Sequence, residues 1–432
     1  MRIGMVSATY DPTVINGAVR MVTLYKQHLE ALGHEVTIFT LGDEQEGDGA
    51  ARIVRSPGFR LGDYGYFVGL RYSREAQMLL TEMDVVHCHH LLMSVEMAHR
   101  YARCPIVYTN HTRYDLYTGA YTPLPQPAAD AIMRQIWPEF TGLADTVIAP
   151  SESVRQLLAD FGVHAPLVVI ENGIELEPFL QPRRPRAKND FGLPDDAFLL
   201  LYVGRLSSEK NVLALLEQMA LACQVMPGLH LAIIGKGPQE EELRQRAAEL
   251  QLGGCVHFRG VVPFDEVGDW LATADAFVTA STSEVHPLTI IEAMAAGKPI
   301  AAVQSPGISD TVEPGVTGLT TTTVDGLSAA IVALAADPAR ARAMGEAARE
   351  ASRRFDIGRT VGLTVDLYES LLATRPDLTR DDPHGRWSRR TEMWAGLLDQ
   401  LAQLVRPSDD ADDGARRWWP AGILAGRKEH DE

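Results

Sequence analysis

Short apolar runs alternate with longer amphipathic stretches along the chain. Arg2 to Ser7, Glu35 to Thr40 and Thr146 to Ala149 are brief and apolar, and read as buried strands. Phe198 to Val203, Leu229 to Ile234, Val256 to Gly260 and Ala276 to Val278 repeat that pattern further on. Between them, Val19 to Leu32 has helical periodicity and stops at Gly33. Ala131 to Phe140, Gln239 to Leu250, Asp269 to Ala274 and Val361 to Leu372 also read as helices, and Ser151 is placed to cap another. Strand, loop, helix and strand in this order predict an α/β protein with Rossmann-like parallel sheets. Gln181 to Asn189, QPRRPRAKN, is basic and proline-bearing, and reads as an exposed linker. The expected organisation is a first domain over 1–180, a linker over 181–195, a second domain over 196–360, a closing helix over 361–372 and an extension over 373–432.

Composition narrows the function classes. Length alone, 432 residues, fits two or three domains, and the net charge of −17 argues against a general nucleic-acid binder. The four cysteines are scattered with no CxxC pair, which fits a reducing compartment. No apolar run is long enough to span a bilayer, and the apolar core of MRIGMVSATYDP is too short for a signal peptide, so a cytoplasmic location is expected. No GxGxxG follows the first strand, which counts against a dinucleotide cofactor. His87, Cys88, His89 and His90 invite a metal reading. In a strand, however, His87 and His89 share a face while Cys88 points away, and no third ligand cluster stands at a usual spacing.

The chemistry concentrates in Thr279 to Pro299, TASTSEVHPLTIIEAMAAGKP. Ser281 to Ser283 break the strand, Pro287 marks a turn, and Thr289 opens an apolar helical run closed by Gly297 and Pro299. A strand feeding a helix N-terminus through a loop favours a phosphate. Pro287 has no N–H, so such a contact falls to the amides of Leu288 and Thr289. Glu284 and Glu292 flank this point and suit the hydroxyls of two sugars. Thr289-Ile290-Ile291-Glu292 also spells a capping box, which alone would account for Glu292, and Glu284 alone reads equally as a solvated loop residue. Arg205 and Lys210, five positions apart after the Phe198–Val203 strand, are cations suited to a diphosphate leaving group, or a solvated pair. Gly17, after Asn16, is either a close-approach position or a tight turn.

These motifs together resemble the retaining glycosyltransferases of family 4, which have the GT-B fold. The match rests on E-x7-E with AMAAGKP, on G-R-x-x-x-x-K-N from Gly204 to Asn211, on the GKGP turn at Gly235, and on His111-Thr112-Arg113-Tyr114. The resemblance covers roughly residues 1–372 and implies two Rossmann-like domains facing a cleft. The second would hold a nucleotide sugar and the first an acceptor, with the last helix crossing back to brace the first. It implies that Arg205 and Lys210 serve the leaving group, that Glu284 faces the transferred sugar, and that Glu292 binds the ribose. Gly17 would let backbone approach the diphosphate, backbone at Arg259 would meet the base, and His111 would bond the sugar or orient the acceptor. No cofactor or metal is expected. The segments SATYDPTVINGAVR and LEALGHEVTIFT are closer to the branch acting on diacylglycerol and related lipids. One departure is Val285-His286-Pro287, where the family usually has a small or aromatic residue and then glycine.

From this follow the expected reaction and its partners. A hexose moves from a UDP- or GDP-sugar to a hydroxyl with retention, the acceptor being a diacylglycerol-type lipid. A soluble acceptor, or an epimerase of the same fold, is the alternative, and a non-catalytic scaffold fits less well because the site residues occur together. Retaining glycosidases use two opposed carboxylates. No second carboxylate here has a nucleophile's context, so a front-face displacement is expected. The aromatic and proline-rich stretch from Tyr114 to Pro127 is long enough to cover the acceptor mouth. In the extension, Trp394, Leu397, Leu398, Leu401 and Leu404 have helical spacing, and Arg416-Arg417-Trp418-Trp419 suits a bilayer interface or a simple tail. Peripheral association with the inner face of the cell membrane is the corresponding expectation. Asp410-Ala411-Asp412 has the spelling of a metal motif but lies in an acidic tail.

Overall fold

A computed structural model describes residues 1–11, 16–61, 66–69, 71–116 and 125–374. The extension helix, the Trp418-Trp419 segment, Asp410-Ala411-Asp412 and the middle of the Tyr114–Pro127 stretch lie outside the described residues. In the first half the strands are β1 (Arg2–Val6), β2 (Glu35–Leu41), β3 (Ile53–Ser56), β4 (Phe59–Leu61), β5 (Tyr66–Val68), β6 (Val85–Cys88), β7 (Ile106–Thr109), β8 (Thr146–Ala149) and β9 (Leu167–Val169). The second half supplies β10 (Phe198–Val203), β11 (Leu229–Ile234), β12 (Val256–Gly260), β13 (Ala276–Thr279), β14 (Ile300–Val303) and β15 (Gly318–Thr321).

They form two parallel sheets, ordered β3-β2-β1-β6-β7-β8-β9 and β12-β11-β10-β13-β14-β15, with β4 and β5 as a separate antiparallel hairpin. Each order reverses direction beside its first strand, and in open α/β sheets ligands bind at that switch, beyond the carboxyl ends of the strands. The central strands are buried on both faces, which is why they read as continuous apolar runs. One apolar cluster runs from Ile3 and Val85 in the first sheet through Ile174, Phe179 and Phe355 to Phe277 and Ile291 in the second. A second cluster, including Leu200, Leu216, Ile233 and Val278, fills the other face of the second sheet.

Helix α1 (Gly17–Ala31) opens on Asn16, whose Oδ1 accepts from the amides of Ala18 (2.9 Å) and Val19 (3.5 Å). This is two residues ahead of the apolar repeat, because the cap and not the first buried residue sets the start. Helix α2 (Glu152–Asp160) is capped by Ser151, as its sequence indicates, with Val154 N–H donating to Oγ at 3.3 Å. The closing helix, α4 (Ile357–Thr374), packs on α1: Tyr25 Oη and Thr364 Oγ1 are 3.1 Å apart, and Tyr368 Oη is 2.6 Å from His87 Nδ1. It begins four residues before the predicted Val361, where Ile357 N–H donates to Ile174 O (3.0 Å) and ties the helix to the first half.

Helix α3 (Leu288–Ala295) differs from its sequence reading. Pro287 is the N-cap and makes no side-chain cap bond, so Thr289 lies inside the helix and the Thr289–Glu292 capping box does not form. Glu292 is thereby placed in the second turn, not the first, and its carboxylate is used elsewhere. The strand β3, the hairpin and the helix Arg74–Leu80 were not anticipated. Among the described residues no helix is long and apolar enough to cross a membrane.

Candidate active site

The loops leaving β10, β11 and β12 are stitched together by backbone. Gly204 N–H donates to Ile234 O (3.0 Å), Gly235 N–H to Gly260 O (2.8 Å), and Leu206 N–H to Lys236 O (3.2 Å). A Cβ at Gly235, whose φ is +141°, would lie 1.8 Å from Gly204 O, so only glycine permits this approach. The stitching fixes Arg205, just past β10, and Arg259, at the end of β12, on either side of β11, both half-buried. Burial lowers the Arg259 pKa.

Lys210 follows on the turn Ser208–Lys210, closed by Asn211 in the left-handed region. Asn211 Nδ2 donates to Ala280 O (3.3 Å) and Ser283 Oγ to Glu209 O (3.0 Å), so the loop after β13 grips the loop after β10. The result is a 2.7 Å ion pair between Lys210 Nζ and Glu284 Oε1. Burial works against the ammonium, but the Glu284 carboxylate together with Tyr202 and Glu209 outweighs it and holds the Lys210 pKa above its ordinary value. The two residues assigned to leaving group and sugar thus meet, and together they form one polar unit of the second sheet.

The loop carrying Glu284 is pinned on its other side by the first half of the molecule. Ser151 Oγ donates to Val285 O (3.3 Å), and Asn172 Nδ2 to His286 O (3.2 Å). Ser153 binds Asp310 through both its amide (2.8 Å) and its hydroxyl (3.0 Å). A Cβ at Gly307 would stand 2.3 Å from the carbonyl of Val285, so the loop also presses on the turn after β14. The unusual His286 is a core ring: it packs on Phe355 with centroids 5.1 Å apart, neither ring nitrogen has a partner, and burial lowers its pKa to about 3.

Glu292 is buried and pairs with Arg20, which comes from α1 in the first half. The Arg20 guanidinium also lies 3.8 Å above the Phe264 ring. Burial raises the Glu292 pKa and Arg20 offsets part of that rise. Arg20 was missed in the sequence. The available signal was its position three residues after Gly17, which puts both on one face of α1. Gly17 itself is exposed at the first position of the helix, and a Cβ there meets nothing within 4 Å, so the protein alone does not demand glycine. Leu288 and Thr289 open α3, where the first amides have no intrahelical acceptor.

On the first sheet, His111 lies two residues past β7. Its Nε2 is 3.0 Å from Nδ1 of His89, and burial lowers the His111 pKa to about 3, so the ring is neutral at physiological pH. His87 is committed at both nitrogens, to Tyr368 Oη and Thr109 Oγ1, each at 2.6 Å. His111 is therefore gathered with histidines of its own sheet, while Lys210–Glu284 belongs to the other. Among the described residues no group of three or more His, Cys, Asp or Glu is disposed to hold a metal ion.

The family described as Glycosyltransferase Family 4 matches residues 15–178, and that described as Glycosyl transferases group 1 matches 183–351. An alpha-monoglucosyldiacylglycerol synthase of Streptococcus pneumoniae is 31% identical over 330 residues, 72% of this chain and 73% of the relative. A glycogen synthase of Mycobacterium tuberculosis is 30% identical over 407 residues, 85% and 94% of the two chains. The crystal structure of Anabaena HepE in complex with UDP-glucose superposes with a TM-score of 0.68 at 21% identity, over 86% of this chain and 100% of that one, a likeness of fold.

Proposed function

Since the chain belongs to the glycosyltransferases of family 4 and has the GT-B fold, we propose that it is a retaining hexosyltransferase acting from a nucleotide sugar onto a diacylglycerol-type lipid. The observation that carries this reading is the Lys210–Glu284 pair at the carboxyl edge of the second sheet, beside the open N-terminus of α3. In the proposed reaction the acceptor hydroxyl attacks the anomeric carbon from the face the phosphate leaves. The bond from that carbon to the β-phosphate oxygen breaks, and the acceptor proton passes to the departing phosphate. Arg205 and Lys210 stabilise the charge that develops there, and the amides of Leu288 and Thr289 add to it. These cations take the role a metal would otherwise fill, and no cofactor enters the scheme. Glu284 holds hydroxyls of the hexose, Glu292 the ribose, the backbone of Arg259 the base, and Gly17 leaves room for the diphosphate. His111 faces the sugar or the acceptor from the first sheet.

Arg20 refines the ribose assignment. Because it engages Glu292, a nucleotide that uses this carboxylate must share it with Arg20 or displace it.

The lipid acceptor is supported by the name of the Streptococcus pneumoniae relative, and peripheral contact with a membrane follows from it. A soluble acceptor is the second reading, favoured by the glycogen synthase relative, which covers more of the chain. Release of nucleoside diphosphate from UDP-glucose, UDP-galactose, UDP-glucuronate or GDP-mannose, with and without diacylglycerol micelles, separates them. Release stimulated by lipid with one donor is expected. Release indifferent to lipid moves the acceptor to the soluble class, and no release with any donor overturns the proposal.

A further inference from the structure

His89 is a buried imidazole with an unequal pair of nitrogens. Its Nδ1 meets Nε2 of His111 at 3.0 Å, whereas its Nε2 is sealed from solvent with no hydrogen-bond partner. The two rings are nearly parallel, at 10°, and their centroids are 5.3 Å apart. That separation exceeds the nitrogen–nitrogen distance by two imidazole radii. The contact therefore runs collinear with both ring centres, in the ring planes, along the line that an N–H and a lone pair share. It is a hydrogen bond between coplanar rings, and one ring must donate while the other accepts.

Which ring donates follows from the sealed nitrogen. Burial holds the His89 pKa well below its ordinary value, so the ring carries one proton. If that proton sat on Nε2, an N–H would be buried with no acceptor, an arrangement rarer and costlier than an unused lone pair. The proton thus belongs on Nδ1, which donates to His111. His111 Nε2 then accepts, and the proton of His111 is left on its own Nδ1. His111 is only partly buried, and Nδ1 is the nitrogen that its bond to His89 leaves for a ligand. The His89 ring is held against rotation by His87, 4.2 Å away, and by Tyr25, 5.8 Å away, and its backbone N–H is fixed to Val6 O at 2.9 Å.

We propose that His89 is a positioning residue that sets the tautomer of His111, so that His111 presents an Nδ1–H donor to an oxygen of the bound sugar or of the acceptor. The ligand class this selects is an uncharged oxygen acceptor such as a hydroxyl, because the ring offers a donor without a positive charge. The inference rests on the reading of His111 as a group facing the substrates.

The test uses the full chain labelled with 15N-histidine and long-range 1H–15N spectra, with His111 assigned through the loss of its signals in His111→Gln. In the unliganded wild type, His111 is expected to be protonated on Nδ1. His89→Asn keeps an N–H near the same place and should keep that tautomer. His89→Ala should move the His111 proton to Nε2, the form favoured by free histidine, and reduce kcat for nucleoside diphosphate release about tenfold. Protonation of wild-type His111 on Nε2, or an unchanged Nδ1 signal in His89→Ala, overturns the proposal. If the tautomer behaves as expected but His111→Ala releases nucleoside diphosphate at the wild-type rate, the substrate-facing reading of His111 fails while the proton assignment stands.

Discussion

Glu284 and Glu292 belong to one motif, eight residues apart, yet they are held in opposite ways. Glu284 is partly open and pairs with Lys210, a residue of its own sheet. Glu292 is buried and pairs with Arg20, a residue of the other half of the molecule. The first pair is fixed by loops that follow neighbouring strands β10 and β13 of one half, with Ser151 and Asn172 of the other half bonded to the backbone just after Glu284. The second exists only while the two halves stand together. One carboxylate of the motif is thus paired within its own half and the other across the two halves.

That contrast can be broken at its strongest point first. Lys210→Ala should lower kcat for nucleoside diphosphate release by 10²–10³-fold, about 2.7–4 kcal/mol of transition-state stabilisation. A variant with full activity would remove Lys210 from the leaving-group role.

Arg20→Ala should instead be read in stability. It leaves Glu292 buried without its cation, at a cost of about 1–3 kcal/mol, seen as a lower Tm in a thermal melt. The pH dependence sharpens this. The folded-state pKa of Glu292 is raised, so the protonated carboxyl favours folding. Relative to Glu292→Gln, the wild type should be best placed below the ordinary carboxylate value of 4.5 and lose that advantage as pH rises through the raised pKa. Melts of both proteins across that range test the sign, and an advantage growing with pH would contradict it.

Asn172→Ala removes one bond between the halves and should cost about 1 kcal/mol, measured by denaturant unfolding. The smallest effect belongs to His286→Phe. It replaces a ring with two unpartnered nitrogens by an apolar one against Phe355, and should shift stability by less than about 1 kcal/mol and leave nucleoside diphosphate release unchanged.

The same contrast explains what could be read from the sequence. Lys210 and Glu284 were legible because each sits at a fixed offset from a strand end, and parallel strands deliver their exits to one edge. The Ser151 cap and the two parallel sheets were legible for the same local reason. The Arg20–Glu292 pair was not, because its partners are separated by 272 positions and lie on helices of different halves of the molecule. The capping-box spelling at Thr289 misled: Pro287 took the cap position, and the glutamate was already committed to a distant cation. The hairpin after β3 escaped notice because strands as short as three residues leave little periodicity to detect. In the HCHH segment, the shared face of His87 and His89 was readable, with centroids 4.2 Å apart, but the bond from His89 to His111 depends on a neighbouring strand.

The most direct test of the central claim is the stoichiometry of transfer. Purified full-length protein is given UDP-glucose and diacylglycerol vesicles, and UDP and lipid-extractable glucose are quantified together. The account requires UDP and glycolipid in equal amounts, with the anomeric proton of the product reporting the α configuration of the donor. Glucose appearing as free sugar, a β-linked product, or sugar remaining on the nucleotide in altered form would contradict it.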